Sequence, residues 1–222
     1  MSKKFIIAPS ILSADFTNLS AEIKTAEAAG ANWIHVDIMD GHFVPNMSMG
    51  IKAVQACREI TNLPLDTHLM VREPEKFIDI YAEAGVSHLT VHVEATPNIH
   101  RLLQKIQESG CKPGITLNPG THYSLIEPVL PMVFQVLVMT VNPGYGGQKF
   151  IPDTLTKIRK IRELLENVNP QALIAVDGGI SEDTLPMVIE AGAQVFIAGN
   201  ALFNHPHGIT AGIKAFKDLL TD

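Results

Sequence analysis

The chain has 222 residues, 46% of them hydrophobic and 18% charged, which suits one large domain with a sizeable core and excludes a disordered chain. Its 17 Lys and Arg against 23 Asp and Glu leave a formal charge of −6 and no basic surplus, so nucleic acid is not an expected partner. Two cysteines without metal-type spacing, Cys57 and Cys111, exclude a disulfide framework and a zinc ribbon and fit the reducing cytoplasm, where the protein is expected.

Lys3 and Lys4 followed by Phe5-Ile6-Ile7-Ala8 imitate the start of a secretion signal, but Pro9, Ser10 and Asp15 cut the apolar run short. No other run is long enough to span a membrane. Phe5 to Ser10 therefore reads as a short buried strand, and Leu19, Ile23, Ala26 and Ala29 recur at helical spacing with Gly30 as the cap. A strand from Trp33 leads through the loop Gly41 to Asn46 into a helix from about Gly50 to Ile60. Strand three runs from Pro64 to Met70, Glu73 to Ala84 is helical, and Ser87 to Val93 alternates like a strand. Ile99 to Gln107 reads as helix, Pro113 to Asn118 as strand, Ser124 to Val129 as a short helix and Phe134 to Val141 as strand. Asp153 to Glu166, Ala172 to Asp177, Glu182 to Ala191, Gln194 to Ala198 and Ile209 to Leu220 continue the alternation.

Eight strand-then-helix units without a long linker or a composition break predict a parallel (β/α)8 TIM barrel, with residues 1–222 as a single domain. The repeated Ala29-Gly30-Ala31, Ala84-Gly85-Val86 and Ala191-Gly192-Ala193 mark helix-to-strand turns. A doubly wound open sheet would carry a glycine fingerprint after its first strand, where this chain has Pro9-Ser10-Ile11-Leu12-Ser13.

The chemistry gathers at strand ends. Side chains alternate along a strand, so Trp33, His35, Asp37 and Met39 share one face of the second strand, and His68 and Met70 share one face of the third. Buried carboxylates need partners. In a barrel His35, Asp37, His68 and Asp177 would all lie where strands end and catalytic loops begin. Together they form a His₂Asp₂ set suited to one divalent metal ion: Zn²⁺, Fe²⁺, Mn²⁺ or Co²⁺. His42, His88, His92, His100, His122, His205 and His207 have no comparable grouping and read as structural or surface residues. Met39, Met70 and Met139 also fall near strand ends, where thioethers suit the wall of a pocket and equally suit plain core filling.

Glycines supply a second signal. Gly144-Tyr145-Gly146-Gly147 follows strand six, Gly178-Gly179 strand seven, and Gly199-Asn200 strand eight. Loops there bind phosphate in many barrels, because glycine lets backbone N–H groups approach the anion. The stretch Gly144 to Lys149 lacks the Gly-Lys-Ser/Thr ending of a Walker loop.

Five long stretches carry a resemblance over nearly the whole chain: Ala8-Pro9-Ser10-Ile11-Leu12-Ser13-Ala14-Asp15, His35 to Asn46, His68-Leu69-Met70, Met139 to Gln148, and Val176-Asp177-Gly178-Gly179. In these the sequence resembles the ribulose-phosphate 3-epimerases. The resemblance implies a ribulose-phosphate-binding barrel that epimerises D-ribulose 5-phosphate at C3 to D-xylulose 5-phosphate, a step of the pentose phosphate pathway. It implies a divalent metal on His35, Asp37, His68 and Asp177, with Asp37 and Asp177 as the acid/base pair working through an enediolate. It further implies substrate contacts from Ser10 and His68, and a phosphate seat of Gly144, Tyr145, Gly146, Gly147, Gly178, Gly179, Gly199 and Asn200. The partner is then a small phosphosugar; neither nucleic acid nor membrane is called for, and a homo-oligomer is left open. Two departures stand out: Ala175 replaces a more usual glutamate, and Asn200 a usual serine. The related allulose-6-phosphate 3-epimerases share the metal set but read differently along the first strand, and a phosphosugar-binding barrel without catalysis is the other alternative.

Overall fold

The computed structural model describes residues 5–221, so Lys3 and Lys4 of the leader-like start lie outside the described residues. Eight parallel strands make one sheet: β1 (Ile6–Pro9), β2 (Ile34–Met39), β3 (Leu65–Met70), β4 (His88–His92), β5 (Lys112–Leu117), β6 (Gln135–Met139), β7 (Leu173–Asp177) and β8 (Val195–Ala198). Their spatial order is β1-β8-β7-β6-β5-β4-β3-β2. The two ends of that series meet where Ser10 bridges His35, and Ile7 both accepts the Asn32 N–H and donates its own to Asn32 Oδ1, each at 2.9 Å. The Asn32 side chain thus stands in for a ladder bond, and the sheet is nearly closed into the barrel that eight units predict.

Helices clothe the outside: α1 (Leu19–Ala29), α2 (Ile51–Ile60), α3 (Ile78–Glu83), α4 (Ile99–Glu108), α5 (Thr154–Val168), α6 (Leu185–Ala191), α7 (Asn200–Phe203) and α8 (Ile209–Thr221). Strand residues facing this layer, such as Ile34, Val36, Leu69, Leu89, Val136 and Phe196, are fully buried. Cover on both faces is why the strands read as nearly continuous apolar runs. The three Ala-Gly turns end α1, α3 and α6 as expected, with Gly30, Gly85 and Gly192 at φ of 96°, 84° and 108°, backbone that a Cβ would resist.

Two helices depart from expectation. Glu73 to Ala84 divides into a 3-10 turn at Pro74–Lys76 and the short α3, because Pro74 starts the turn and Phe77 lies at the junction with φ −109° and ψ −11°. The helix expected at Ser124 to Val129 is two 3-10 turns, Tyr123–Leu125 and Glu127–Met132; Pro128 has no N–H to donate to Ser124 O and breaks the expected helix, and Pro131 removes a further donor in the second turn. The short α7 directly after β8 was not among the expected elements.

The barrel interior is divided by polarity. Ile6, Ala8, Trp33, Leu137, Met139, Ala175, Val195 and Ile197 fill one side as an apolar cluster. His35, Asp37, Asp66, His68, His88, Thr90, His92, Thr116 and Gln135 fill the other, every one of them buried. At the mouth where the strands begin, the Trp33, His88 and Phe134 rings stack with centroids 4.3 and 4.9 Å apart, and Lys112 Nζ sits 4.3 Å above Phe134.

Candidate active site

Strand register decides which interior side chains meet. Asp37 is level with His68 across β2 and β3, Met39 is level with Met70, and Met139 is level with Asp177 across β6 and β7. Curling the sheet brings β7 round to β2, so that one ligand atom from each of His35, Asp37, His68 and Asp177 lies within 4.8 Å of all the others. Asp37 is the hub. Its Oδ1 is 3.2 Å from both His35 Nε2 and His68 Nδ1, and its Oδ2 accepts a 2.6 Å hydrogen bond from Ser10 Oγ.

Behind this cluster lies a polar network. His35 Nδ1 is 2.8 Å from Asp66 Oδ2, while Asp66 Oδ1 accepts a hydrogen bond from Gln135 Nε2 at 2.7 Å. The same Gln135 nitrogen reaches Thr90 Oγ1 at 2.9 Å. His68 Nε2 is 2.9 Å from His92 Nε2, and His92 Nδ1 is 3.1 Å from Glu94 Oε2.

These neighbours set the charges. Burial opposes ionisation of Asp37, but His35 and His68 outweigh it and hold the carboxyl well below the usual range. Burial likewise works against a charge on His35, yet Asp37 and Asp66 keep its pKa well above that of free imidazole. Asp177 goes the other way: burial first, then the charge on Asp37, push it up to about 7.

The cluster fits a divalent cation. Two imidazole nitrogens and two carboxylate oxygens converge, a donor set matched to Zn²⁺, Fe²⁺, Mn²⁺ or Co²⁺. A cation among them would offset the repulsion that raises Asp177, since a bound ion is the largest local charge in such a site. An outer carboxylate on His35 Nδ1 is also the arrangement that orients a ligand imidazole.

Above the cluster opens a cavity of about 440 Å³. Asp37, Asp177 and Ser10 lie in its floor, with Met39, Met70 and Met139. Its rim holds Gly144, Tyr145, Gly146, Gly147, Gly178, Gly179, Gly199 and Asn200, so the three glycine segments do converge. His35 and His68 are fully buried beneath the floor and outside the lining. The rim is tied together: Asn46 Nδ2 donates to Gly144 O at 3.0 Å, and Gln148 Nε2 donates to Asn142 O and Tyr145 O at 2.6 and 2.9 Å. Gly178 and Gly179, at φ 112° and 66°, have no room for a side chain, because a Cβ would stand 2.3 Å from Val141 Cγ2 and 2.6 Å from the Phe150 backbone nitrogen. The two departures from the family pattern have simple consequences. Ala175 packs in the apolar half of the interior, and the Asn200 side chain accepts from Asn204 Nδ2 at 2.8 Å, leaving its backbone N–H for the rim.

Sequence reasoning missed Asp66, His92 and Glu94. His88 and His92, read as structural or surface residues, are interior and at most 2% exposed. The signal was present, because Asp66 shares the His68 face by the same alternation that links His35 to Asp37, and His88, Thr90, His92 and Glu94 repeat at every second position. His42, His100, His122 and His207 are exposed, as expected, and His205 is half-buried against Glu182 at 3.5 Å.

Known proteins match this chain in sequence and in fold. The sequence model of the "Ribulose-phosphate 3 epimerase family" matches residues 6–203. The chain is similar to the ribulose-phosphate 3-epimerase of Synechocystis sp., 49% identical over 98% of this chain and 96% of that one. It is also similar to that of Bacillus subtilis, 51% identical over 89% of this chain and 91% of that one. Among solved structures, KGPDC from Streptococcus mutans shares the fold at a TM-score of 0.72 and 15% identity, covering 98% of each chain.

Proposed function

The chain belongs to the ribulose-phosphate 3 epimerase family, and from that premise we propose that it interconverts D-ribulose 5-phosphate and D-xylulose 5-phosphate by moving a proton at C3. The observation that carries this reading is the juxtaposition of two aspartates, Asp37 and Asp177, with His35 and His68 at the floor of a cavity rimmed by three glycine segments.

The C3 hydrogen of the substrate lies beside the C2 ketone, so its removal leaves an enediolate, and inversion requires the proton to leave on one face and return on the other. Asp37, a carboxylate in the cavity floor steadied by Ser10, is placed to accept a proton. Asp177, brought to the cluster from β7 across the barrel from Asp37, is placed to hold a proton and deliver it from the opposite side. The reverse reaction exchanges the roles. Ser10 Oγ, bonded to Asp37 Oδ2, fixes the carboxylate rotamer and leaves Oδ1 to the cluster. A divalent cation on His35, Asp37, His68 and Asp177 would supply Lewis-acid stabilisation of the negative charge that develops on the sugar. With His68 below the floor, its influence on substrate passes through that cluster. The backbone N–H groups of the Gly144–Gly147, Gly178–Gly179 and Gly199–Asn200 segments would hold the phosphate and so place C3 between the acids.

Among the described residues no helix is long and apolar enough to cross a membrane. Both cysteines are free and buried, which supports a cytoplasmic setting. The deciding experiment follows D-ribulose 5-phosphate to D-xylulose 5-phosphate with chelated protein and after addition of Zn²⁺, Fe²⁺, Mn²⁺ or Co²⁺. Turnover is expected only with metal. Full turnover in rigorously metal-free protein would overturn the cation's role, and no conversion with any of the four would overturn the reaction.

A further inference from the structure

His92 lies on β4, fully buried, with its ring centroid 4.9 Å from that of His68 and 4.4 Å from that of Phe43. Neither His92 nor Glu94 lines the cavity. Their contribution is therefore not contact with substrate, yet His92 bonds the His68 nitrogen that does not face Asp37, and Glu94 bonds His92.

Hydrogen counting assigns a direction to the contacts. His68 Nε2 and His92 Nε2 are 2.9 Å apart, and two imidazole nitrogens at that distance share one hydrogen, so one donates and the other accepts. With the hydrogen on His68 Nε2, His68 Nδ1 keeps its lone pair towards Asp37 and the rest of the cluster. His92 then carries its own hydrogen on Nδ1 and donates it to Glu94 Oε2, 3.1 Å away. Glu94 Oε1 in turn accepts the Asn118 N–H at 2.7 Å and the Thr121 hydroxyl. With a cation between His68 Nδ1 and Asp37 Oδ1, which otherwise face each other as two acceptors at 3.2 Å, every group in the series is matched. Reversing the direction puts an N–H of His68 against the cluster and sets the bare His92 Nδ1 against a carboxylate oxygen, two acceptors facing each other. Lys157 Nζ anchors the far end by donating to Asn118 O and Pro119 O at 2.7 and 2.8 Å.

We infer that Glu94 and His92 are positioning residues, a carboxylate–histidine–histidine series that fixes the tautomer and ring orientation of His68 and presents its Nδ1 lone pair to a divalent cation. The inference rests on the reading of His68 as a metal ligand. The Glu94 carboxylate is fixed by Asn118 and Thr121, so the loop after β5 is coupled through it to the base of the active site, although it touches neither cavity nor cluster.

The test is a titration of the metal-free protein with Zn²⁺ against a competing chelator, for the wild type, His68→Ala, His92→Leu and His92→Gln. His92→Leu removes the acceptor from His68 Nε2–H and is expected to weaken Zn²⁺ by about 10–100-fold, the usual consequence of losing such an outer partner. His92→Gln places an amide oxygen where Nε2 stood and is expected to recover most of that loss. At saturating Zn²⁺ the KM for D-ribulose 5-phosphate should stay at the wild-type value in both His92 variants, because neither alters the cavity wall. If His68→Ala binds Zn²⁺ as tightly as the wild type, the ligand reading itself fails. If His68→Ala loses Zn²⁺ while His92→Leu retains wild-type affinity, the ligand reading stands and the positioning inference is overturned. A second measurement needs no substitution and holds even where His92→Leu does not fold: ¹⁵N spectra of the Zn²⁺-loaded wild type should show hydrogen on His68 Nε2 and on His92 Nδ1. Hydrogen on His92 Nε2 would overturn the inference.

Discussion

Two glycines of the rim separate stability from function. Gly179 has φ 66°, and a Cβ there would stand 2.6 Å from the Phe150 nitrogen and 2.8 Å from its Cα, so Gly179→Ala must displace backbone. A left-handed residue with a side chain costs roughly 1–2 kcal/mol, and forced overpacking adds about 1–3 kcal/mol. The sum is about 2–5 kcal/mol. For a chain of this length each kcal/mol lowers Tm by roughly 2–4 °C, so a fall of about 4–20 °C is expected. Gly146 is the contrasting case, with an ordinary φ and only Ser13 Oγ, at 3.6 Å, near an added Cβ. Gly146→Val should therefore melt within about 2 °C of the wild type, since surface changes of this kind stay near ±0.5 kcal/mol. Its side chain enters the cavity rim, where it would hold a phosphate away from backbone N–H groups. Phosphate binding helps to orient C3, so both a higher KM and a lower kcat are expected, with kcat/KM down about 10-fold or more. Thermal melts by circular dichroism and steady-state kinetics measure the pair. Wild-type kcat/KM in Gly146→Val, or a wild-type Tm in Gly179→Ala, would refute the respective half of the reasoning.

Unphosphorylated D-ribulose should be turned over with a kcat/KM lower by several orders of magnitude, measured with the same assay; equal values would remove the phosphate seat. Product formed in D₂O should carry deuterium at C3, and Asp37→Asn and Asp177→Asn should each lose conversion; unlabelled product under conditions of fast solvent exchange would exclude two opposed acids. Asp66→Ala strips His35 Nδ1 and Gln135 Nε2 of a fully buried carboxylate partner, so chemical denaturation should register a loss of about 3–5 kcal/mol, whereas a loss under 1 kcal/mol would show the network to be ornamental. Glu94 is held down to about 2 from an ordinary 4.5, where burial is outweighed by His92, Thr121 and the Asn118 N–H. A depressed carboxyl stabilises the fold above its unfolded pKa and loses that contribution as pH falls through the folded value. Glu94→Gln should therefore flatten the acid limb between about pH 4.5 and pH 2 by an amount on the order of 1–2 kcal/mol, read from urea unfolding at several pH values.

Much of this protein is decided by local pattern. Apolar strands alternating with 3.6-period segments and closed by Ala-Gly turns specify eight βα units, because each turn needs a residue that tolerates positive φ and each strand needs cover on both faces. The same alternation puts His35 with Asp37 and His68 with Met70, and barrel topology carries all of them to the catalytic end. Where local chemistry overrides the period, as at Pro128, the expected helix becomes two 3-10 turns. Tertiary structure alone decided which interior groups touch. Alternation assigns a face but not a level, and the level comes from strand register and the tilt that closes the sheet. Register sets Asp37 beside His68, curvature brings Asp177 from the far side to meet them, and the ring packing of β3 against β4 turns His92 from an unassigned histidine into the partner of His68. Buried polar groups must be satisfied, so once those positions are set the hydrogen bonds from Asp66 and Glu94 follow, and with them the charges that distinguish Asp37 from Asp177.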